Sequence, residues 1–279
     1  MAECNFNPIC EDIRNTDPDF PPGISSAVFI SEGMKLLGTV FMADGKGPHP
    51  TVILLHGFPG NENNFDIAQT LRRAGYNTVF FHYRGIWGSP GKFSFSNCIE
   101  DTANVVREIQ SLPEDNQYRI DSRNIIIAGH SMGGFCAMIA GAQFPGIKKI
   151  AFLAGFNFGY FSKLMLKNEE FASITKQSIS ETENYIGTFE TNNLYDEMIN
   201  NREEWDIIKH IPQYSGKNIL LVGSKSDSVS PLVYHHIPLV NSFKEAGITF
   251  TDRILDSGHS FSSKRIELQK IFIDWINKD

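Results

Sequence analysis

Between residues 51 and 255 the chain repeats one pattern, a short uninterrupted apolar run followed by a helix-length segment. The runs fall at 52–55, 78–81, 125–128, 150–153, 219–222 and 248–255. A strand with one face in water alternates apolar and polar residues, whereas a strand that is apolar throughout is covered on both faces, and helices are the usual cover. The pattern therefore predicts a parallel sheet with helices on both sides. The intervening segments 65–74, 98–112, 134–143, 232–246 and 262–277 carry helical spacing. Ahead of this region, 27–30 and 36–42 carry the β-branched and aromatic residues of a hairpin turning at Glu32-Gly33-Met34, so eight strands are expected, the first two antiparallel at an edge.

One interval breaks the rhythm. Between Ala154 and Lys217 about sixty residues hold amphipathic stretches at 161–170, 174–185 and 194–208 but no strand-like run. They predict a helical cap at about 156–212, inserted after the sixth strand at the carboxyl ends of the strands, where open α/β sheets bind ligands. Residues 1–26, rich in Pro, Asp and Asn and without periodicity, read as an irregular lead-in to a single domain over 27–279.

Bulk composition excludes several classes. A formal charge of −7 spread over scattered acids argues against nucleic acid or any other polyanionic partner. No apolar segment approaches the roughly 20 residues of a membrane span, and the N-terminus lacks the basic-then-apolar order of a secretory leader, so a cytoplasmic location is expected. Cys4, Cys10, Cys98 and Cys136 form no CxxC pair and have no histidine at ligand spacing; free thiols and no metal are expected.

The chemistry centres on Gly129-His130-Ser131-Met132-Gly133, between a predicted strand and a predicted helix. A serine hydroxyl is a weak nucleophile at neutral pH, so it must be held exposed on a tight strand-to-helix turn beside a base. Glycines on either side permit that turn by letting backbone approach closely. The turn calls for an acid and a histidine further along the chain. Asp227 follows the seventh strand and His259 the eighth, which puts both at the same sheet edge as Ser131. Asp256 is the competing acid, but it sits only three residues before His259. Among the other histidines, His82 ends the fourth strand, His56 and His130 belong to loop and turn, His210 precedes Pro212 near the end of the cap, and His235-His236 read as a helix surface.

A tetrahedral intermediate also needs backbone donors for its oxyanion, each worth about 3 kcal/mol in the transition state. The loop His56-Gly57-Phe58-Pro59-Gly60 closes the third strand, so the amide of Phe58 is expected to face that of Met132. Phe156 and Phe158, at the junction of strand and cap, are candidates for lining an apolar substrate pocket. Arg84 and Trp87 are assigned to holding a loop rather than to substrate.

Taken together, the 56–60 loop, Tyr83-Arg84-Gly85, the Ser131 turn with Gly134, Asp227 followed by Pro231, and Gly258-His259 resemble the α/β-hydrolase superfamily from about Val28 to the C-terminus. Within it the chain is similar to stand-alone esterases and to the catalytic domains of acylaminoacyl-peptidase and prolyl-oligopeptidase-like enzymes. Ile86-Trp87 stands where many relatives carry a histidine. The resemblance implies a serine hydrolase of carboxylic esters that needs no cofactor and acts on a small-molecule ester or short peptide-like substrate. A small aminopeptidase or acylpeptide hydrolase is the alternative, followed by a thioesterase or a catalytically silent binding protein. Acyl size, stereochemical preference and oligomeric state stay open.

Overall fold

In the computed structural model, which describes residues 6–278, the apolar runs become strands. They are β1 (Gly23–Ser31), β2 (Met34–Met42), β3 (His49–Leu55), β4 (Asn77–Phe81), β5 (Ile120–His130), β6 (Lys149–Leu153), β7 (Asn218–Ser224) and β8 (Phe250–Leu255). One eight-stranded sheet results, in the order β1-β2-β4-β3-β5-β6-β7-β8. The two pairings that involve β2 are antiparallel, and every pairing from β4 across to β8 is parallel.

Successive side chains leave the sheet on opposite faces and enter two separate cores. Ile53, Leu55, Val79, Phe81 and Ile127 pack under α2 (Phe95–Gln110) and α3 (Met132–Gln143). Val52, Leu54, Ile126 and Ala128 pack with α1 (Phe65–Arg73) and α9 (Arg265–Ile276) on the other side. Each of these side chains is fully or almost fully buried, which is worth roughly 1.5–3 kcal/mol apiece for the Val, Leu, Ile and Phe residues and explains why the runs do not alternate.

Where the elements differ from the sequence expectation, local chemistry accounts for it. The strand predicted to begin at 27 begins at Gly23, and its first four residues lie at the surface on both faces, so they carry no apolar signal. Helix α2 starts three residues before 98 because Ser94 caps it, accepting the Asn97 N–H at 3.0 Å. The single helix expected at 232–246 is two, α7 (Leu232–His235) and α8 (Ile237–Glu245). Pro238 has no N–H to give to the carbonyl of Tyr234, four residues back, so the helix breaks and restarts.

The interval after β6 is helical as expected. It holds α4 (Phe158–Met165), α5 (Glu169–Ile186), α6 (Thr191–Asn200) and a 3₁₀ segment (Ile207–Tyr214). Asn157 and Asn168 cap α4 and α5, and Gly187, at φ 70°, ends α5. Polar ties fasten these helices to the sheet domain, among them one from α6 and one from the loop before it. Glu197 on α6 accepts the backbone N–H groups of Phe95 (2.8 Å) and Ser96 (3.1 Å), placing a carboxylate at the N-terminus of α2, where the helix dipole favours it. Thr188 donates to the Gly85 carbonyl at 2.6 Å. Among the described residues no helix is long and apolar enough to cross a membrane.

Candidate active site

Ser131 sits between the end of β5 and the start of α3 with φ 58° and ψ −122°, a backbone conformation that non-glycine residues rarely adopt. The surrounding hydrogen bonds hold it there. Its N–H donates to Leu153 O at 3.0 Å, and its carbonyl accepts from Gly134 (3.0 Å) and Phe156 (3.1 Å). The flanking glycines are demanded by space: a Cβ on Gly129 would stand 2.0 Å from Gly133 O, and one on Gly133 would stand 2.2 Å from Leu55 O. Gly57 serves the same end from the facing loop, where a Cβ would lie 2.9 Å from Ser131 Cβ.

Asp227 and His259 meet, as their positions after neighbouring strands β7 and β8 require. His259 Nδ1 lies 2.8 Å from Asp227 Oδ2, while Asp227 Oδ1 accepts the N–H groups of Ser230 (2.7 Å) and Val229 (2.9 Å). Burial pushes the Asp227 carboxyl up, but the hydrogen bond and charge of His259 and the two backbone donors outweigh it, and its pKa lies below the usual range. Asp256 is exposed, and Asp252 on β8 pairs with His236 at 2.8 Å. Ser131 Oγ makes no hydrogen bond to a described residue.

Three residues that sequence reasoning left without a task support this pair. His130 lies 2.9 Å through Nε2 from the His259 carbonyl. Burial lowers its pKa to about 3, so the ring is neutral, and because a carbonyl only accepts, Nε2 carries the proton. Ser224 donates to the carbonyls of Ser257 and Gly258, joining the acid and histidine loops. Ser230 donates to Gly155 O at 2.6 Å and ties the acid loop to the entrance of the cap. These contacts join distant stretches of chain, and no local spacing announces them.

The 56–60 loop is braced from both sides. His56, fully buried with its pKa lowered to about 3 by desolvation, donates through Nδ1 to Gly57 O at 2.7 Å, and its ring packs 4.7 Å from Tyr83. Trp87 Nε1–H donates to Pro59 O at 2.7 Å. Neither the Phe58 nor the Met132 amide donates a hydrogen bond to a described residue, which leaves both N–H groups available to a ligand. Arg84 is committed to its loop: Nε stands 2.6 Å from the buried Asp101 carboxylate as an ion pair rather than an aligned hydrogen bond, and Glu100 takes the other end.

A cavity of about 320 Å³ reaches Ser131 and is roofed by the helices after β6. Phe58, Met132, Phe156 and Phe158 line it, as do Phe171, Ile174, Ser178 and Ile179 of α5 and Met198 of α6. Not one of its lining residues is charged or a histidine. The α5 residues were missed from sequence, yet 171, 174, 175, 178 and 179 have the 3.6-residue spacing of one helix face, a signal of burial that does not say against what.

The expectation that His235-His236 form a helix surface is corrected, since they are 1% and 3% exposed. The one-turn helix α7 tucks under the cap entrance, where His235 packs 4.0 Å from Phe156 and accepts the Asn157 N–H at 3.1 Å. Burial lowers its pKa to about 3. Cys10, Cys98 and Cys136 are free thiols, and Cys4 lies outside the described residues. Among the described residues no group of three or more His, Cys, Asp or Glu is placed to hold a metal ion.

The chain adopts the α/β-hydrolase fold. A family profile described as alpha/beta hydrolase fold matches residues 50–175, from β3 into α5 and including Ser131 but neither Asp227 nor His259. An uncharacterized 31.7 kDa protein from the traX-finO intergenic region of Escherichia coli is 32% identical over 123 residues, 43% of this chain and 42% of that protein. An uncharacterized protein of Mycobacterium tuberculosis is 29% identical over 126 residues, 45% of this chain and 43% of that one. The matches thus span less than half the length of these curated relatives. Solved structures extend the likeness to nearly the whole chain. An acylaminoacyl peptidase of Pyrococcus horikoshii superposes with a TM-score of 0.67 at 16% identity, covering 92% of this chain and 41% of that one. Est1E of Butyrivibrio proteoclasticus, solved with ferulic acid bound, gives a TM-score of 0.65 at 19% identity, covering 90% of this chain and 100% of that one.

Proposed function

We propose that this protein is a serine hydrolase that cleaves carboxylic esters of neutral, apolar acids through an acyl-enzyme. His259, oriented by Asp227, takes the proton of Ser131 as Ser131 Oγ attacks the carbonyl. The amides of Phe58 and Met132 hold the oxyanion. The alcohol leaves with the proton from His259, which then activates a water to release the acid. His130 and Ser224 act at one remove by holding the His259 loop.

The observation that carries the choice of substrate is the uncharged cavity beside Ser131. A free α-ammonium placed there would be buried without a counter-ion, at a cost of several kcal/mol. That counts against an aminopeptidase. The same neutrality admits a blocked amino acid, and the likeness in fold to an acylaminoacyl peptidase makes cleavage of N-acyl peptides the second reading.

Initial rates on p-nitrophenyl esters beside aminoacyl and N-acyl-aminoacyl anilides, with Ser131→Ala as control, decide between them. Ester turnover lost in the variant, with the anilides untouched, is the expected result. Faster cleavage of the N-acyl anilides would promote the second reading. No Ser131-dependent turnover, together with no labelling of Ser131 by a fluorophosphonate, would leave a silent scaffold.

A further inference from the structure

Within that reading, we propose that the cavity selects an arylalkanoyl group, one aromatic ring on a tether of about two carbons, over a linear acyl chain, and that Met198 and Ile179 set how deep the ring can go. The first observation is an unbroken file of rings. Phe95, Phe158, Phe156, Phe161, Phe171 and Tyr234 follow one another with centroid separations of 4.6, 4.8, 5.1, 5.6 and 5.1 Å, and all six line the cavity. Four of the five pairs are tilted or edge-on, so the six rings that line the cavity lie in several orientations rather than in one stack. A substrate ring can meet them at its preferred offset or T-shaped geometry, which adds roughly two- to tenfold in affinity per contact beyond what buried area supplies. A linear chain gains only the area.

The second observation is shape. The cavity is closed where Phe95, Ile179 and Met198 are 2%, 3% and 1% exposed, and open where Ile174 and Val229 are 57% and 53% exposed. Its volume of about 320 Å³ lies at the small end of the roughly 300–1,000 Å³ typical of small-molecule sites. That range takes an arylalkanoyl group such as 3-phenylpropanoyl. Met198 is the flexible member of the closed end and the one whose truncation lengthens the cavity with least disturbance.

The test is the ratio of kcat/KM for p-nitrophenyl 3-phenylpropanoate to that for the hexanoate and octanoate, with p-nitrophenyl acetate as the reference that needs no pocket. A ratio of tenfold or more is expected. Phe156→Leu, which keeps an apolar side chain but removes a ring, should lower it about threefold, and Met198→Ala should move the optimum toward 4-phenylbutanoate. Linear esters turned over as well as or better than the aryl ester, while acetate hydrolysis still depends on Ser131, would overturn the selectivity and leave the hydrolase reading standing. If no ester is turned over, the hydrolase reading fails, and binding to Ser131→Ala judges the pocket by itself. Saturable binding of 3-phenylpropanamide but not of hexanamide would uphold aryl selection, and equal binding of the two, or of neither, would overturn it.

Discussion

The strand end that carries Ser131 and the helices that roof it are built on different principles. Around Ser131, backbone meets backbone: Gly129, Gly133 and Gly57 stand where no Cβ fits, and main-chain hydrogen bonds from the start of α3 and from the end of β6 and the loop after it converge on one residue. The roof is held by side chains, chiefly the apolar face of α5, an aromatic file and the ties from Glu197 and Thr188. Close-packed backbone has one arrangement, whereas side chains can be exchanged for others of similar volume. The proposed chemistry therefore rests on the rigid region, and substrate choice on the replaceable one.

Glycine substitutions give the largest expected contrast. Gly133→Ala drives a Cβ into the Leu55 and His56 carbonyls, which cannot move without breaking the sheet edge. A loss above about 4 kcal/mol, or no folded protein, is expected from urea denaturation. Gly187→Ala in the roof also forces a non-glycine residue to positive φ but meets nothing within 4 Å, so it should cost only about 1 kcal/mol. Comparable losses at the two sites would break the distinction.

Next in size is Asp227→Asn. An amide there can no longer hold the proposed His259 tautomer, and ester turnover should fall about 10⁴-fold while the urea midpoint moves little. A loss below tenfold would remove Asp227 from its proposed role.

Acid sensitivity should follow from histidines buried in both regions. His56, His130 and His235 are held neutral with pKa values of about 3, against 6.5 when free. The unfolded chain takes up those protons first, so stability is complete above pH 6.5 and falls as pH drops toward 3. Asp227, with its lowered pKa, adds loss in the same direction at the acid end. His235→Leu should flatten the dependence by up to about 1.4 kcal/mol per pH unit in that window, read from urea midpoints at a series of pH values. An unchanged slope would mean that His235 takes up its proton in the folded protein.

Smallest is Glu197→Gln. It keeps one acceptor oxygen for the N–H groups of Phe95 and Ser96, turns an NH2 donor toward the other, and loses the charge that favours the α2 N-terminus, about 1 kcal/mol in all. Hydrogen exchange in α6 should rise while that around Ser131 stays unchanged. Equal loosening of both would show the roof and the strand end to be one cooperative unit.

Much of this contrast was legible in advance, and unevenly. The Ser131 turn, Asp227 and His259 could be named because a strand-to-helix turn needs its glycines at fixed offsets and because neighbouring parallel strands release their loops at one edge. His130, Ser224 and Ser230 could not, since each acts on a carbonyl from another part of the chain. The His235-His236 pair was misplaced for a related reason: helical spacing shows that a face exists but does not say whether water or the cap covers it. The face of α5 that lines the cavity was visible as periodicity, while its partners were not.

The sequence alone determined the layered architecture, the number of strands, the position of the helical insertion and the three side chains at the strand ends. These depend on period, length and glycine placement, all of which are local. Only the tertiary structure decided the absence of charge in the cavity, the continuity of its aromatic file and the burial of Met198 against it. Those properties arise where α2, the loop after β6, α5 and α6 converge, and convergence between distant segments is set by packing rather than by any pattern within one of them.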